Sequence, residues 1–324
     1  MKAPLRFVAV VLSLLVLVGL VVGCGGGGGG AVFLNVFQRT SWAQTLNGPI
    51  TLTSYGGNRL LYIYSISSNG SDVALLTPSL NNANNLLEGG QNSVYSPDAA
   101  TIAFASRRAT GGNTGASLAL YTMSAANGDR SGLTKITDDA GAGADTQPSY
   151  SPDGTKIIYS TTRDTGRSHI RLANADGSGG ITDITPPSDS RFFQWPVFNP
   201  TNPDQIAVQV SATDPVVDPN AQIAIYTIST ATLTPATAST FFDGGPSWSP
   251  DGTKIAFHSN RTGDFDLWIV TVAGGGLTHV TSDARSDGFP VWNQTGSLLA
   301  FTRDRELWTT TPDGVTQKQL SSRF

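Results

Sequence analysis

Pro148-Ser-Tyr-Ser-Pro-Asp-Gly-Thr-Lys-Ile157 and Pro246-Ser-Trp-Ser-Pro-Asp-Gly-Thr-Lys-Ile255 are one phrase written twice, and their reading decides the fold. The centre of the phrase is a tight hairpin. Ser249 starts the turn, Pro250 presets φ at its first central position and Asp251 suits the second. Gly252 takes the left-handed position that closes a three-residue loop. The frame recurs with variations on both sides. Ser93-Val-Tyr95-Ser-Pro-Asp98 leads into Ile102-Ala-Phe104, and Pro196-Val-Phe198-Asn-Pro200 leads after a longer turn into Ile206-Ala-Val208. Pro290-Val-Trp292-Asn-Gln-Thr-Gly296 leads into Leu299-Ala-Phe301, and a degenerate first copy holds Ser41-Trp42, an Asn47-Gly48 turn and Ile50-Thr-Leu52. Six copies of about 49 residues fill residues 31–324, close to the period of roughly 40–45 for four-stranded propeller blades.

Each copy reads as four short strands. In the fifth they are expected at Gly245–Ser249, Lys254–Ser259, Asp266–Val272 and Thr278–Thr281. Asp176-Gly177 and Asn127-Gly128 mark further hairpins. Second strands alternate a bulky residue, Ala and a bulky residue, which suits blades that pack closely around a taper. Third strands repeat an aliphatic–aromatic pair, Leu120-Tyr121, Ile225-Tyr226, Leu267-Trp268 and Leu307-Trp308, with Ile170-Arg171 the exception. An open sandwich would need six tandem copies by coincidence and would leave edge strands that radial closure protects. The fold expected is an all-β, six-bladed β-propeller of four-stranded blades.

Composition agrees. The 324 residues are only 14% charged, with 36 Gly and 18 Pro, the balance of a turn-rich β protein. The net charge of −4 gives no basic footprint for nucleic acid. Cys24 is the one cysteine, so neither an internal disulfide nor a Cys-rich zinc site can form. Lys2 and Arg6 precede an apolar run, Phe7 to Val22, with the layout of a secretory signal and too short for a comfortable membrane span. It ends Val21-Val22-Gly23-Cys24, which resembles the lipobox of bacterial lipoproteins, and that resemblance implies cleavage before Cys24 and acylation of its thiol and new amine. A plain secretory signal with a chance cysteine is the alternative. Several acyl chains anchor stably where one is marginal, at about 0.8 kcal/mol per buried methylene. Gly25–Gly30 then reads as a flexible tether. The expected division is 1–23 signal peptide, 24–30 lipidated cysteine and tether, and 31–324 propeller. In lipoproteins of double-membraned bacteria an Asp after the cysteine marks inner-membrane retention. Gly25 there implies the outer membrane, facing the periplasm, or the outer face of the plasma membrane in a single-membrane organism.

The frame Asp-x-x-Pro-x-aromatic-Ser-Pro-Asp-Gly, then Ile-Ala-Phe-x-Ser, then Leu-Trp or Leu-Tyr, then Leu-Thr, resembles the WD40-like repeat of TolB-type β-propellers over all of 31–324. The resemblance implies a partner-binding scaffold. TolB proteins carry a further N-terminal α/β domain, for which there is no space between the tether and the first blade. Prolyl oligopeptidase-type peptidases have similar repeats, but no Gly-x-Ser-x-Gly elbow occurs here. Oligogalacturonate lyases share such a propeller and use a histidine-rich manganese site, whereas this chain has only His169, His258 and His279.

Two charges recur at one end of the blades. Asp145, Asp243 and Asp287 each stand three residues before a Pro, and Arg108, Arg163, Arg261 and Arg305 each stand four beyond the last bulky residue of a second strand. They read either as a binding rim at the channel mouth or as structural Asp–Arg clamps, and repetition in blade after blade favours clamps. His258 occupies a variable polar slot that holds Thr53, Ala105, Ser160, Gln209 and Thr302 in the other copies. Tyr95, Tyr150, Phe198, Trp248 and Trp292 share one position and read as packing residues rather than a sugar platform. Ser211–Gln222 and Arg107–Ser117 break the period, and such insertions are where specificity usually sits. The lone carboxylate of each Ser-Pro-Asp-Gly turn falls short of a calcium site. The expectation is a monomeric, non-enzymatic envelope lipoprotein without metal or cofactor. It would bind an envelope protein, peptidoglycan or another polysaccharide through one propeller end, with a carbohydrate-binding or carbohydrate-active propeller as the alternative.

Overall fold

The computed structural model describes residues 41–42, 48–55, 61–77, 90–107, 117–126, 132–140, 142–214, 218–238, 240–273, 275–304 and 306–321. The chain divides at Gly30, and the propeller lies in the second unit, Ala31–Phe324. Cys24, the glycine run, Ala31–Phe37, Asn127 and Gly128 lie outside the described residues.

The described residues form six four-stranded antiparallel sheets, each taking its strands in chain order. Blade 1 is Ser41–Trp42, Ile50–Tyr55, Leu61–Ile66 and Ala74–Leu75, and blade 2 is Gly90–Tyr95, Thr101–Ser106, Ala119–Ser124 and Thr134–Lys135. Blade 3 is Asp145–Tyr150, Lys156–Thr161, His169–Asn174 and Thr182–Asp183, and blade 4 is Phe192–Asn199, Asn202–Ser211, Gln222–Thr227 and Thr232–Pro235. Blade 5 is Asp243–Trp248, Lys254–Ser259, Asp266–Thr271 and Leu277–His279, and blade 6 is Asp287–Trp292, Leu299–Arg303, Glu306–Thr310 and Gln317–Gln319. First strands stand side by side around the axis. The fourth strands, on the outside, are only two to four residues long, so little unpaired edge is offered to other chains.

The hairpin phrase does what its residues dictate. Gly252 has φ +68° and its N–H donates to the Ser249 carbonyl at 2.9 Å. Ser249 Oγ donates to Asp251 Oδ1 and accepts from the Lys254 N–H at 3.0 Å. Ser96 with Asp98 and Ser151 with Asp153 repeat the device. In all three turns the serine hydroxyl bond, followed by a backbone N–H bond, holds the Asp carboxyl below its ordinary pKa.

Among the described residues the core forms six clusters, each spanning the interface between two consecutive blades. Ala207 of blade 4 meets Trp248, Ile255 and Phe257 of blade 5, and Ala256 of blade 5 meets Trp292, Leu299 and Phe301 of blade 6. The small residue between two bulky ones thus receives the next blade's bulky pair. The shared aromatic also ties blades by hydrogen bonds: Trp248 Nε1 donates to the Val197 carbonyl, and Tyr150 Oη pairs with Thr101 Oγ1. The ring closes by the same packing, with Ile50, Leu52 and Ile66 of blade 1 against Ala300, Leu307 and Leu320 of blade 6. Among the described residues each blade owns its fourth strand, so no strand is borrowed at the closure.

First strands begin earlier than the Pro-centred reading expects. Blade 5 starts at Asp243, and Pro246 lies inside the strand. A β-bulge makes room for it: Gly244 pairs with His258 and Ser247 with Ala256, so Gly245 and Pro246 together face the single residue Phe257. Proline lacks an N–H and suits a bulge, where the ladder bond is already lost. The same bulge occurs in blades 2, 3, 4 and 6. Its first residue is left-handed in every case: Asn92, Gln147, Trp195, Gly245 and Phe289 have φ between +52° and +58°.

The outer hairpins lock neighbouring blades. A Cβ on Gly70 would sit 2.5 Å from the Leu320 carbonyl oxygen across the ring closure, and one on Gly314 would sit 1.9 Å from that of Val280. Gly166 has φ +72° but nothing within 4 Å. Gly166→Ala should therefore lose only the left-handed penalty, about 1–2 kcal/mol. Gly70→Ala should lose more, because the closing contact must also part. Paired denaturant unfolding curves check this, and equal losses would show that the Gly70 hairpin does not hold the ring shut.

Candidate functional site

The end at which first strands start carries both recurrent charges. Arg163 Nε donates to Asp145 Oδ2 at 2.9 Å, and its terminal nitrogens donate to the Ala140 and Leu118 carbonyls, the latter just before the third strand of blade 2. Arg261 donates to Asp243 Oδ1 at 2.7 Å and lies over the Trp268 and Phe257 rings. Asp287 is met not by the expected Arg305, which lies outside the described residues, but by Arg303, in a two-point contact of 2.6 Å each. The hairpin there is short, since the second strand ends at Arg303 and the third begins at Glu306, so the cation sits on the strand itself. Arg303 is sandwiched between Phe301 and Trp308 at 1% exposure. Arg108 lies outside the described residues. Burial pushes the Asp287 carboxyl above its ordinary pKa in spite of Arg303.

Inside this charged layer the bulges place a second group of residues that the repeat frame does not announce. Trp195 of blade 4 and Phe289 of blade 6 meet with ring centroids 5.1 Å apart, bridging over blade 5. They can meet because blade 5 has Gly244 and Gly245 where the others carry at least one side chain. A Cβ on Gly245 would already press on His258 and Phe289. His258 lies 4.9 Å from Phe289, 5.4 Å from Phe265 and 5.8 Å from Phe242, centroid to centroid. Phe241, next to Phe242 in the chain, is 42% exposed. His258 Nδ1 accepts the Phe289 N–H at 3.4 Å, which leaves the imidazole proton on Nε2. Burial drives the His258 pKa down to about 4, against a smaller upward pull from Asp243, so the ring is neutral at physiological pH.

Polar groups converge here. Gln209 Oε1 and His258 Nε2 lie 2.7 and 3.0 Å from the point a Gly244 Cβ would occupy. Among the described residues neither the Gln209 carboxamide, in a side chain 3% exposed, nor His258 Nε2, in one 7% exposed, has a hydrogen-bond partner. Gln147 Oε1 accepts the Trp195 N–H at 2.9 Å, linking the bulges of blades 3 and 4.

The remaining candidates separate from this mouth. His279 stacks on Trp268 at 4.1 Å and contacts Asp266, while His169 sits 3.5 Å from Asp183 at the corresponding place in blade 3 with the two residue types exchanged. Among the described residues no group of three or more His, Cys, Asp or Glu could hold a metal ion. Tyr95, Tyr150, Phe198, Trp248 and Trp292 are buried between blades. In the blade 4 insert, Asp218 accepts the N–H groups of Ala212, Thr213 and Asn220, so the loop is stitched to itself; residues 215–217 lie outside the described set. Most of the blade 2 insert, 108–116, lies outside it too. At the opposite end, shallow clefts between consecutive turns are lined by Pro97, Asp98, Pro152 and Asp153, whose carboxylates are occupied by their own turns.

No family model and no curated protein matches the chain. Solved structures do. TolB from Acinetobacter baumannii is similar over 74% of this chain and 52% of its own, with TM-score 0.54 and 20% identity. An oligogalacturonate lyase in complex with manganese covers 90% of this chain and 77% of its own, with TM-score 0.56 and 14% identity. A puromycin hydrolase covers 90% and 47%, with TM-score 0.59 and 15% identity. The chain spans about half the length of that TolB. These likenesses establish a TolB-like six-bladed propeller as the fold. They also correct the expectation that the chain is not an enzyme: the same ring occurs in a lyase and a hydrolase, so neither the fold nor the missing nucleophile elbow argues against catalysis.

Two measurements test the site's construction. Asp243→Ala strands a largely buried Arg261 and should cost about 3–5 kcal/mol in denaturant unfolding. An unchanged midpoint would make the pair a surface feature rather than a clamp. For His258 the folded pKa lies below the unfolded one. Its contribution to stability is therefore complete above about pH 6.5 and is lost as pH falls toward 4, by about 3 kcal/mol in all. His258→Gln, which installs the residue blade 4 carries at this position, should flatten the stability profile over that window. The loss below pH 4, to which the turn carboxylates contribute, should remain.

Proposed function

We propose that the chain is an exported, lipid-anchored propeller of the bacterial cell envelope. In this reading it binds a protein partner or a cell-wall component through the end of the ring where first strands start. The observation that carries the reading is the contrast between the two ends. At the turn end, the polar groups of the Ser-Pro-Asp-Gly hairpins are closed on one another. At the mouth, an aromatic group from Trp195 through Phe289 to Phe242 stands beside hydrogen-bonding groups of Gln209 and His258 that the described residues leave unused. Hydrophobic surface with a few convergent polar groups is the usual signature of a binding site.

Anchoring rests on the sequence: the positive start, the apolar run, the single cysteine at its end and the six glycines after it. Among the described residues no helix is long and apolar enough to cross a membrane. With Gly25 after Cys24, the reading places the propeller on the periplasmic side of an outer membrane, or outside the plasma membrane of a single-membrane organism. The TolB-type resemblance of the repeats adds support for a partner-binding scaffold.

The test is mild in-cell crosslinking of the tagged full chain, with Cys24→Ala as the unanchored control. The wild type should partition into detergent and bring down one envelope protein or peptidoglycan fragment in proportion. Cys24→Ala should stay in the aqueous phase and lose that yield. Aqueous partitioning of the wild type would refute the anchor, and irreproducible recovery would refute the binding role.

A further inference from the structure

The mouth specifies the chemistry of what it binds, and the inference rests on the reading that this end is the binding end. The recurrent charges of its Asp–Arg layer are already matched. Asp145 with Arg163, Asp243 with Arg261 and Asp287 with Arg303 are closed pairs, and the rim arginines Arg191 and Arg285 are each held by an aspartate two residues earlier. A charged ligand would have to break one of these pairs to engage it. Beside Trp195 and Phe289 the available groups are neutral: the Gln209 carboxamide, the Nε2–H of His258 and the free amide nitrogen of Gln147, a residue 9% exposed.

The backbone narrows the class further. An extended peptide is usually bound by adding a strand to an open sheet edge. In blades 2 to 6 the first strand is bulged at mouth level, with its bulge residue left-handed, so none of these five offers a regular edge to the opening. The ligand must instead offer an apolar face to Trp195 and Phe289 while its edge carries uncharged donors and acceptors for Gln209, His258 and Gln147. Pyranose rings have this division, with C–H groups on the faces and hydroxyls around the rim. We infer that the blade 4–6 mouth, built from Trp195, Gln209, His258 and Phe289, is a binding site for an uncharged polysaccharide chain.

The experiment uses the full chain purified in detergent and titrated calorimetrically with cellohexaose, maltohexaose, N-acetylchitohexaose and, as the acidic control, hexagalacturonate. At least one neutral hexasaccharide should bind, and hexagalacturonate should bind at least tenfold more weakly. Trp195→Ala and Gln209→Ala should each reduce affinity at least tenfold. Trp292→Phe, between blades and away from the mouth, should not. Melting temperatures taken alongside separate lost binding from lost folding, and Trp195→Phe should restore most of the affinity if the aromatic face is what counts.

Preference for hexagalacturonate would overturn the neutral-ligand inference. Binding by none of the four would overturn the saccharide class. In that event a photocrosslinker placed at Phe241 decides the underlying reading: capture of one defined envelope protein keeps the mouth as the binding end, and no capture ends both. Glycan binding that survives Trp195→Ala and Gln209→Ala would likewise end both, since the site would then lie elsewhere on the ring.

Discussion

Everything in this ring depends on a size alternation in the second strands. Four of the six carry an alanine between two large residues, with Thr51 and Ile158 at that place in blades 1 and 3, and the alanine is where the neighbouring blade enters. Ala103 receives Ile157 and Tyr159, Ala207 receives Ile255 and Phe257, Ala256 receives Leu299 and Phe301, and Ala300 receives Ile50 and Leu52. Each large side chain fully buried in this way contributes about 1.5–3 kcal/mol. No blade could bury these residues alone, because each cluster is split between two blades. Stability is therefore a property of the closed ring, and the outer glycine hairpins that dock onto the preceding blade act on the same interfaces.

The second strand also fixes the first. With the hydrophobic pair committed to the interface, the first strand must carry its aromatic, Trp248 or Trp292, back to the same cluster and still admit a proline. The bulge reconciles these demands by setting two residues opposite one. Its consequence is functional geometry. A left-handed residue sends its side chain where a regular strand would not, and here that places Trp195 and Phe289 in mutual contact above the two glycines of blade 5. A device needed for packing thus positions the residues that give the mouth its character.

This layering explains which parts were legible in the sequence. The Ser-Pro-Asp-Gly turns could be read because their residues act locally, each satisfying its neighbours within five positions. The Asp–Arg pairs could be read because two residue types recur at fixed offsets. The Arg303 substitution for Arg305 could not, since it follows from the length of one hairpin. The mouth was least legible. Its defining position holds Asn92, Gln147, Trp195, Gly245 and Phe289, five residues with a shared backbone angle and no shared chemistry. Repeat reading looks for identity, whereas here the geometry repeats and the side chain varies. The one signal available was the slot of Gln209 and His258 on the second strand, where polar residues interrupt an otherwise apolar face.

The variation sits beside a clamp that recurs in three blades, with Gly90 and Phe193 in place of its Asp in blades 2 and 4. Clamps in blades 3, 5 and 6 pair their own charges, and at Asp287 burial outweighs the attraction of Arg303. A layer of ion pairs around a neutral group divides the work. The pairs hold the first and second strands in register, and the residues inside them are free to differ from blade to blade. Blade 5 uses that freedom to remove side chains, and blades 4 and 6 use it to place rings. The pseudo-sixfold symmetry that builds the scaffold is broken at this level, which is why recognition is expected on one side of the mouth rather than around the whole ring.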